Sequence, residues 1–287
     1  MADQLFLFTQ MEFPWKLGPA DGRYLLRNSA GEIEHIVVLT TIAAQRRRPG
    51  RGAGRVDQPA APVPITRVTI IDPTPLASES QARSWLGGLD EELHAMRPTV
   101  VLDRLLFAQR IAEADPYTHE VSPAQASVTR VGWGKGHELA EGRFSHAREL
   151  KPTRSPRRRR VAALRPQERL VELLGGRDDG LLCEELALRA RADLDQGRSA
   201  HAALELDRAL SAALRELPAE GPADLGERLR ELASLHEGVS EAARSVLAGE
   251  LPDLPGGPEE LLAKALGRLE AALRARTAAG FTGRQPL

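Results

Sequence analysis

The chain has 287 residues, with 39 basic against 40 acidic side chains, a formal net charge of -1 and a hydrophobic fraction of 42%. With a mean hydropathy of -0.31, this excludes a polytopic membrane protein and wholesale disorder, and leaves enough chain for one large core or two ordinary ones. The single cysteine, Cys183, excludes a disulfide scaffold and a multi-cysteine zinc site.

In chain order, Leu5 to Phe13 reads as a strand ended by Pro14, and Gly22 to Arg27 with Glu32 to Ile42 as a hairpin around Asn28-Ser29-Ala30-Gly31. The continuous run Ile36-Val37-Val38-Leu39 predicts a strand covered on both faces. The stretch 45–64, with Arg46-Arg47-Arg48 and dense Gly and Pro, is expected to be a mobile loop between strands. Thr66 to Ile71 is a further strand stopped at Asp72-Pro73. Ser78-Glu79-Ser80-Gln81 fits a capping box, so 79–95 is expected to be helical, with Pro98 opening another helix. Ser127 to Val131 reads as a short strand, followed by the glycine-rich loop Gly132-Trp133-Gly134-Lys135-Gly136 and a helix through Leu150.

The composition then changes. Ten of the eleven aromatics precede residue 150, all seven isoleucines lie between Ile33 and Ile111, and the apolar residues beyond 160 are almost all Leu and Ala. Aromatic and β-branched residues favour strands, whereas Leu and Ala favour helices. The expected class is therefore α+β: a mixed sheet-and-helix domain over 1–150, a basic linker over 151–165, and an all-α bundle or stacked helical hairpins over 166–287. The linker holds seven basic residues and no acid, while 166–287 holds 15 basic and 22 acidic.

In the helical part, Pro166 opens a helix stopped by Gly175-Gly176. Residues 181–196 and 199–217 pair around Gly197-Arg198, with Ser199 as the expected N-cap. A helix over 224–236 and a short one from Ser240 follow, and Pro258 opens the last. Gly197, Ala202, Leu206, Ala209 and Leu210 have the spacing of the second helix of a tetratricopeptide hairpin. The preceding helix offers only Leu186 and Ala190, and no 34-residue repeat recurs, so a generic Ala-rich hairpin is the better account.

The most enzyme-like feature is the loop of Gly132, Gly134, Lys135 and Gly136. Glycines let backbone N–H groups approach a phosphate, and Lys135 adds charge, although neither the Walker pattern nor G-x-G-x-x-G is present. Asp72, at a strand end, is either a functional carboxylate or an Asp-Pro turn. His137 with Glu141, His146, and His94 with Asp90 offer two ligands at most, so no metal site is expected. Cys183 has no inferable base and reads as a core or boundary cysteine. Arg154, Arg157, Arg158, Arg159 and Arg160 form the strongest charge feature, able to attract nucleic-acid phosphates or the acidic helical part.

The leading expectation is a non-enzymatic adaptor or assembly protein that uses its helical part for protein contacts or self-association. Nucleic-acid association through the arginines is second, and an enzyme acting on a phosphorylated ligand at 132–136 is third. No cofactor is expected. The first residues carry no basic n-region, and Leu5 to Phe8 is too short for a signal-peptide core, so the expected compartment is the cytoplasm, without a membrane partner. The 35 arginines against four lysines reflect the codon bias of a GC-rich, bacterial genome rather than function.

If the five arginines contact duplex DNA, log affinity falls against log salt with a slope of about -4 to -5, because each neutralised phosphate releases condensed counterion. Replacing all five by Ser flattens that slope in fluorescence anisotropy. A wild-type chain that binds no DNA at low salt would remove this reading.

Overall fold

The computed structural model describes residues 4–43, 64–150, 166–178, 180–217, 223–250 and 258–278. The chain divides into two compact units, Met1–Thr153 and Arg154–Leu287, and the class is α+β. The expected loop over 45–64, apart from Pro64, which opens a strand, and the linker over 151–165, with all five candidate arginines, lie outside the described residues. No helix among the described residues is long and apolar enough to cross a membrane.

The first unit is built on one antiparallel sheet of β1 (Leu5–Phe13), β2 (Gly22–Arg27), β3 (Ile33–Ala43), β4 (Pro64–Ile71), β5 (Val128–Lys135) and β6 (His146–Glu149), ordered β2-β3-β4-β1-β5-β6. The β2–β3 turn forms because Asn28 Oδ1 accepts the N–H groups of Ala30 and Glu32, both at 3.0 Å, and Gly31 adopts φ +83°. Alternation along the strands gives two faces. Met11, Phe13, Val37, Leu39 and Val68 pack against Val101, Leu102, Leu105 and Leu106 of α2 (Glu91–Glu113). Phe8, Val38 and Ile71 pack on the other face with Leu139 of α3 (Gly136–Ala140). The Ile36–Leu39 run is thus covered on both sides, as its lack of alternation predicts. Farther along the second face the sheet turns polar: Glu12 bridges Arg67 at 3.0 Å and Arg130 at 3.2 Å.

Three helix boundaries of this unit differ from the sequence reading. The helix expected over 79–95 stops early: α1 (Glu79–Gly87) is capped by Ser78, whose Oγ accepts Gln81 N–H at 3.2 Å, and ends at Gly88. Pro98 does not open a helix but lies inside α2, where its buried ring sits in the stripe that meets the sheet. A proline there forfeits one helical hydrogen bond, which the burial of Val101, Leu102, Leu105 and Leu106 offsets. The helix expected from Gly136 through Leu150 ends at Ala140, and Gly142, at φ +75°, turns the chain into β6.

The second unit comprises α4 (Pro166–Leu174), α5 (Leu182–Asp195), α6 (Ser199–Glu216), α7 (Ala223–Leu247) and α8 (Pro258–Ala278). Its core joins Ala187, Ala190, Ala202, Leu206, Leu210, Leu232, Leu262, Leu266 and Leu269. Residue 198, not Ser199, is the N-cap of α6, and Ser199 Oγ donates to Glu259 at 2.8 Å. The expected break before Ser240 is absent. Gly238 lies mid-helix in α7, where an added Cβ would come within 3.2 Å of Leu261 on α8. That glycine serves helix approach, not helix termination.

Gly132 offers a direct test of the sheet. An added Cβ would overlap the His146 carbonyl oxygen and lie 2.8 Å from Ala147 Cα, both backbone atoms of β6. Gly132→Ala is expected to destabilise the first unit by about 1–3 kcal/mol or more. Gly87→Ala, with open space around its Cβ, should be neutral or stabilising by up to about 1 kcal/mol. Trp15, Trp85 and Trp133, the chain's three tryptophans, all lie in this unit, so urea unfolding followed by tryptophan fluorescence reads it selectively.

Candidate functional site

Residues 132–136 are not a loop. Gly132, Gly134 and Lys135 belong to β5, and Gly136 starts α3. Each glycine faces protein: Gly132 the backbone of β6, Gly134 the Leu139 side chain at 3.0 Å and Phe144 Cα at 3.2 Å, and Gly136 the Phe6 ring at 3.0 Å from the built Cβ. Trp133 is 3% exposed and stacks on His146 with centroids 5.5 Å apart. Close packing accounts for the glycines, and the backbone they bring together is paired within the sheet.

His137 and Glu141 do not share a helix face, because α3 ends before Glu141, and His146 lies on β6. Among the described residues no group of three or more metal-ligating side chains is placed to hold an ion. Cys183 is buried in the first turn of α5. Burial, followed by the neighbouring Glu216, pushes its thiol up to about 12, so it is not a thiolate nucleophile. Ser211, His236 and Asp207 meet between α6 and α7, but His236 Nε2 serves both the serine, at 3.0 Å, and the aspartate, at 3.3 Å. A catalytic relay uses the two ring nitrogens separately.

Among the described residues each unit has a concave feature. The larger, about 800 Å³, is a groove between α5 and α8 with α4 at one side. Leu173, Leu181, Ala187, Leu188 and Leu273 line it, and Gly267 of α8 opens onto it with nothing within 4 Å of an added Cβ. Its charges are largely matched: Arg191 Nε donates to Glu270 at 2.9 Å, and Arg274 lies 3.8 Å from the same carboxylate. Burial alone would lower the Arg191 pKa, but Glu270 and Asp195 outweigh it and hold the guanidinium charged. Beside the groove α4 buries none of its residues: Leu170, Val171 and Leu174 are exposed.

The smaller feature, about 490 Å³, is a cleft in the first unit, where β1 and β3 begin and β4 ends. Phe8 pairs with Ile71, and Ile36 pairs with Ile71. One step further this register sets Leu7, Asp72 and His35 in a row on one face, and Asp72 N–H donates to Leu7 O at 3.0 Å. Asp72 Oδ1 accepts Thr74 N–H at 2.9 Å, the turn role foreseen for it. Trp85 of α1 and His94, Arg97, Val101 and Arg104 of α2 complete the walls. His94 Nδ1 donates to Asp90 O at 2.8 Å, and its ring stands edge-on to Trp85. Arg104 is tied to Glu34 at 2.7 Å and to Arg27 O at 3.0 Å. Sequence reasoning considered Asp72 and His94 separately and passed over His35 and Arg97, because cross-strand register brings them together.

Burial pushes His35 below its ordinary 6.5; Arg104 acts in the same direction, and Glu34 and Asp72 oppose them. The unfolded chain therefore takes up the proton at a higher pH than the folded one. Stability associated with His35 is fully present above 6.5 and is lost as pH falls toward the folded value. Urea midpoints by tryptophan fluorescence from about pH 7.5 to about pH 5 should fall less in His35→Gln than in the wild type. Equal falls would show that His35 carries no such linkage.

No protein-family model matches the chain, and neither curated proteins nor solved structures include a significant match.

Proposed function

We propose that this chain is a non-enzymatic, cytoplasmic adaptor or assembly protein whose helical unit receives an amphipathic helix of a protein partner in the groove between α5 and α8. The observation that carries this reading is the groove, where Leu188 of α5 is 59% exposed, together with the unburied apolar side of α4, where Val171 is 59% and Leu174 80% exposed. Large apolar side chains left exposed beside a groove are the kind of surface that supports an interaction site. A groove between two helices accepts a third that inserts residues at i, i+3 and i+7. The charges along its walls are already paired with one another, so apolar contact supplies the affinity and the paired charges set orientation. The occupant is another protein or a second copy of this chain.

A second reading, association with nucleic acid through Arg154, Arg157, Arg158, Arg159 and Arg160, is favoured by the acid-free run itself. It rests on residues other than those named for the groove, so the two are separable by mutation.

The test uses the full chain. Leu188→Asp and Gly267→Arg place a charge or bulk in the groove at positions where neither disturbs the core. Each should weaken retention of the bound polypeptide, or self-association in ultracentrifugation, by about tenfold or more, with the circular dichroism spectrum unchanged. The five-arginine Ser variant should retain it. A wild-type chain that is monomeric and retains no polypeptide, or equal retention by the groove variants, would defeat the proposal.

A further inference from the structure

The cleft of the first unit has a composition that the groove lacks. Its apolar side chains include Leu7, Ile70 and Val101, and one wall is the Trp85 indole. Arg97, Val101 and Arg104 fall on one stripe of α2 at i, i+4 and i+7, and all three line the cleft. Of the two arginines, Arg104 is neutralised by Glu34, whereas Arg97 at the rim has neither an ion-pair nor a hydrogen-bond partner among the described residues. His35 is half-buried, also without a hydrogen-bond partner among the described residues. His94 has one ring nitrogen committed to Asp90 O, which leaves Nε2 available.

Small-molecule sites combine an apolar lining with a few convergent polar groups in about 300–1,000 Å³, and the cleft, at about 490 Å³, lies within that range. A guanidinium presents a planar fork of donors that matches a carboxylate. An indole wall above an aliphatic floor suits a flat apolar body. We infer that this cleft binds a small organic acid, its carboxylate held by Arg97 and its flat apolar body lying between Trp85 and the floor of Leu7 and Ile70. Asp72, with one oxygen on Thr74 N–H, and the neutral His35 are placed to accept from or donate to a polar substituent on that body. This site is independent of the groove reading, since every lining residue belongs to the first unit.

The experiment is calorimetry on the full chain at neutral pH and moderate salt with four probes: benzoate, its neutral near-isostere benzamide, benzylamine and inorganic phosphate. Benzoate is expected to bind with millimolar affinity or better, about tenfold more tightly than benzamide. Benzylamine and phosphate should be weaker still, because the first has the wrong charge and the second lacks the body. Arg97→Gln should reduce benzoate to the level of benzamide. Arg83→Gln, which removes an exposed arginine paired with Glu79 on α1, should leave benzoate binding unchanged. Four results would overturn the inference: no benzoate heat at millimolar concentration, benzamide or benzylamine binding as tightly as benzoate, phosphate matching benzoate, or equal losses in the two arginine variants.

Discussion

Close approach of backbones, permitted only by residues with little or no side chain, is the constraint on which both units depend. In the sheet, β6 lies against Gly132 so closely that a single methyl group would overlap its backbone, and Gly134 lets Leu139 and Phe144 pack onto the strand. In the helical unit, alanines take the same role: Ala187, Ala190, Ala202, Ala203, Ala209 and Ala213 are all buried, and Gly238 makes room for Leu261. Interiors packed at crystal-like density leave no slack at such points. Leucines then fill the spaces between the helices, so the core is held by many modest apolar contacts rather than by large aromatic side chains.

One helix is held differently. None of the residues of α4 is buried, yet Arg169 on it reaches Asp178 at 3.1 Å and Glu184 at 2.7 Å, and Arg276 of α8 meets the same Asp178 at 3.2 Å. The Asp178 side chain is 1% exposed, so two guanidiniums must answer its charge, since an unpaired buried carboxylate is strongly unfavourable. Charge therefore seats α4, while Leu170, Val171 and Leu174 stay outside the core. That division of labour is why apolar surface remains available beside the groove.

Strands of the first unit are legible in the sequence because alternation and turn chemistry are local. Asn28 with Gly31 fixes the β2–β3 hairpin, and the unbroken Ile36–Leu39 run marks a strand covered twice. What fails is glycine and proline read as punctuation. Gly132, Gly134 and Gly136 lie in or beside a strand because β6, then Leu139 and Phe144, then the Phe6 ring pack directly onto them, and Gly238 lies within α7 where Leu261 of α8 packs onto it. Pro98 stays inside α2 because tertiary burial outweighs its local preference. The cleft is less legible still. Asp72 stands out as a strand-end carboxylate, but its neighbour His35 is 37 residues earlier in the chain, and only the register of β3 on β4 sets them side by side.

The two concave features differ in the way their charges are satisfied, and that difference decides what each can hold. In the groove, Arg191 and Arg274 both meet Glu270, so an occupant gains little by bringing a charge of its own and must gain through apolar area, which suits a helix. In the cleft, Glu34 answers Arg104 but not Arg97, so one positive charge beside an apolar wall has no counter-ion among the described residues. A solvated guanidinium bears that without strain. A carboxylate that reaches it while its apolar body leaves water gains both the charge-assisted bond and the burial. Neither gain alone gives useful affinity for so small a molecule, and Arg97 lining the same cleft as Leu7 and Ile70 lets them be made together.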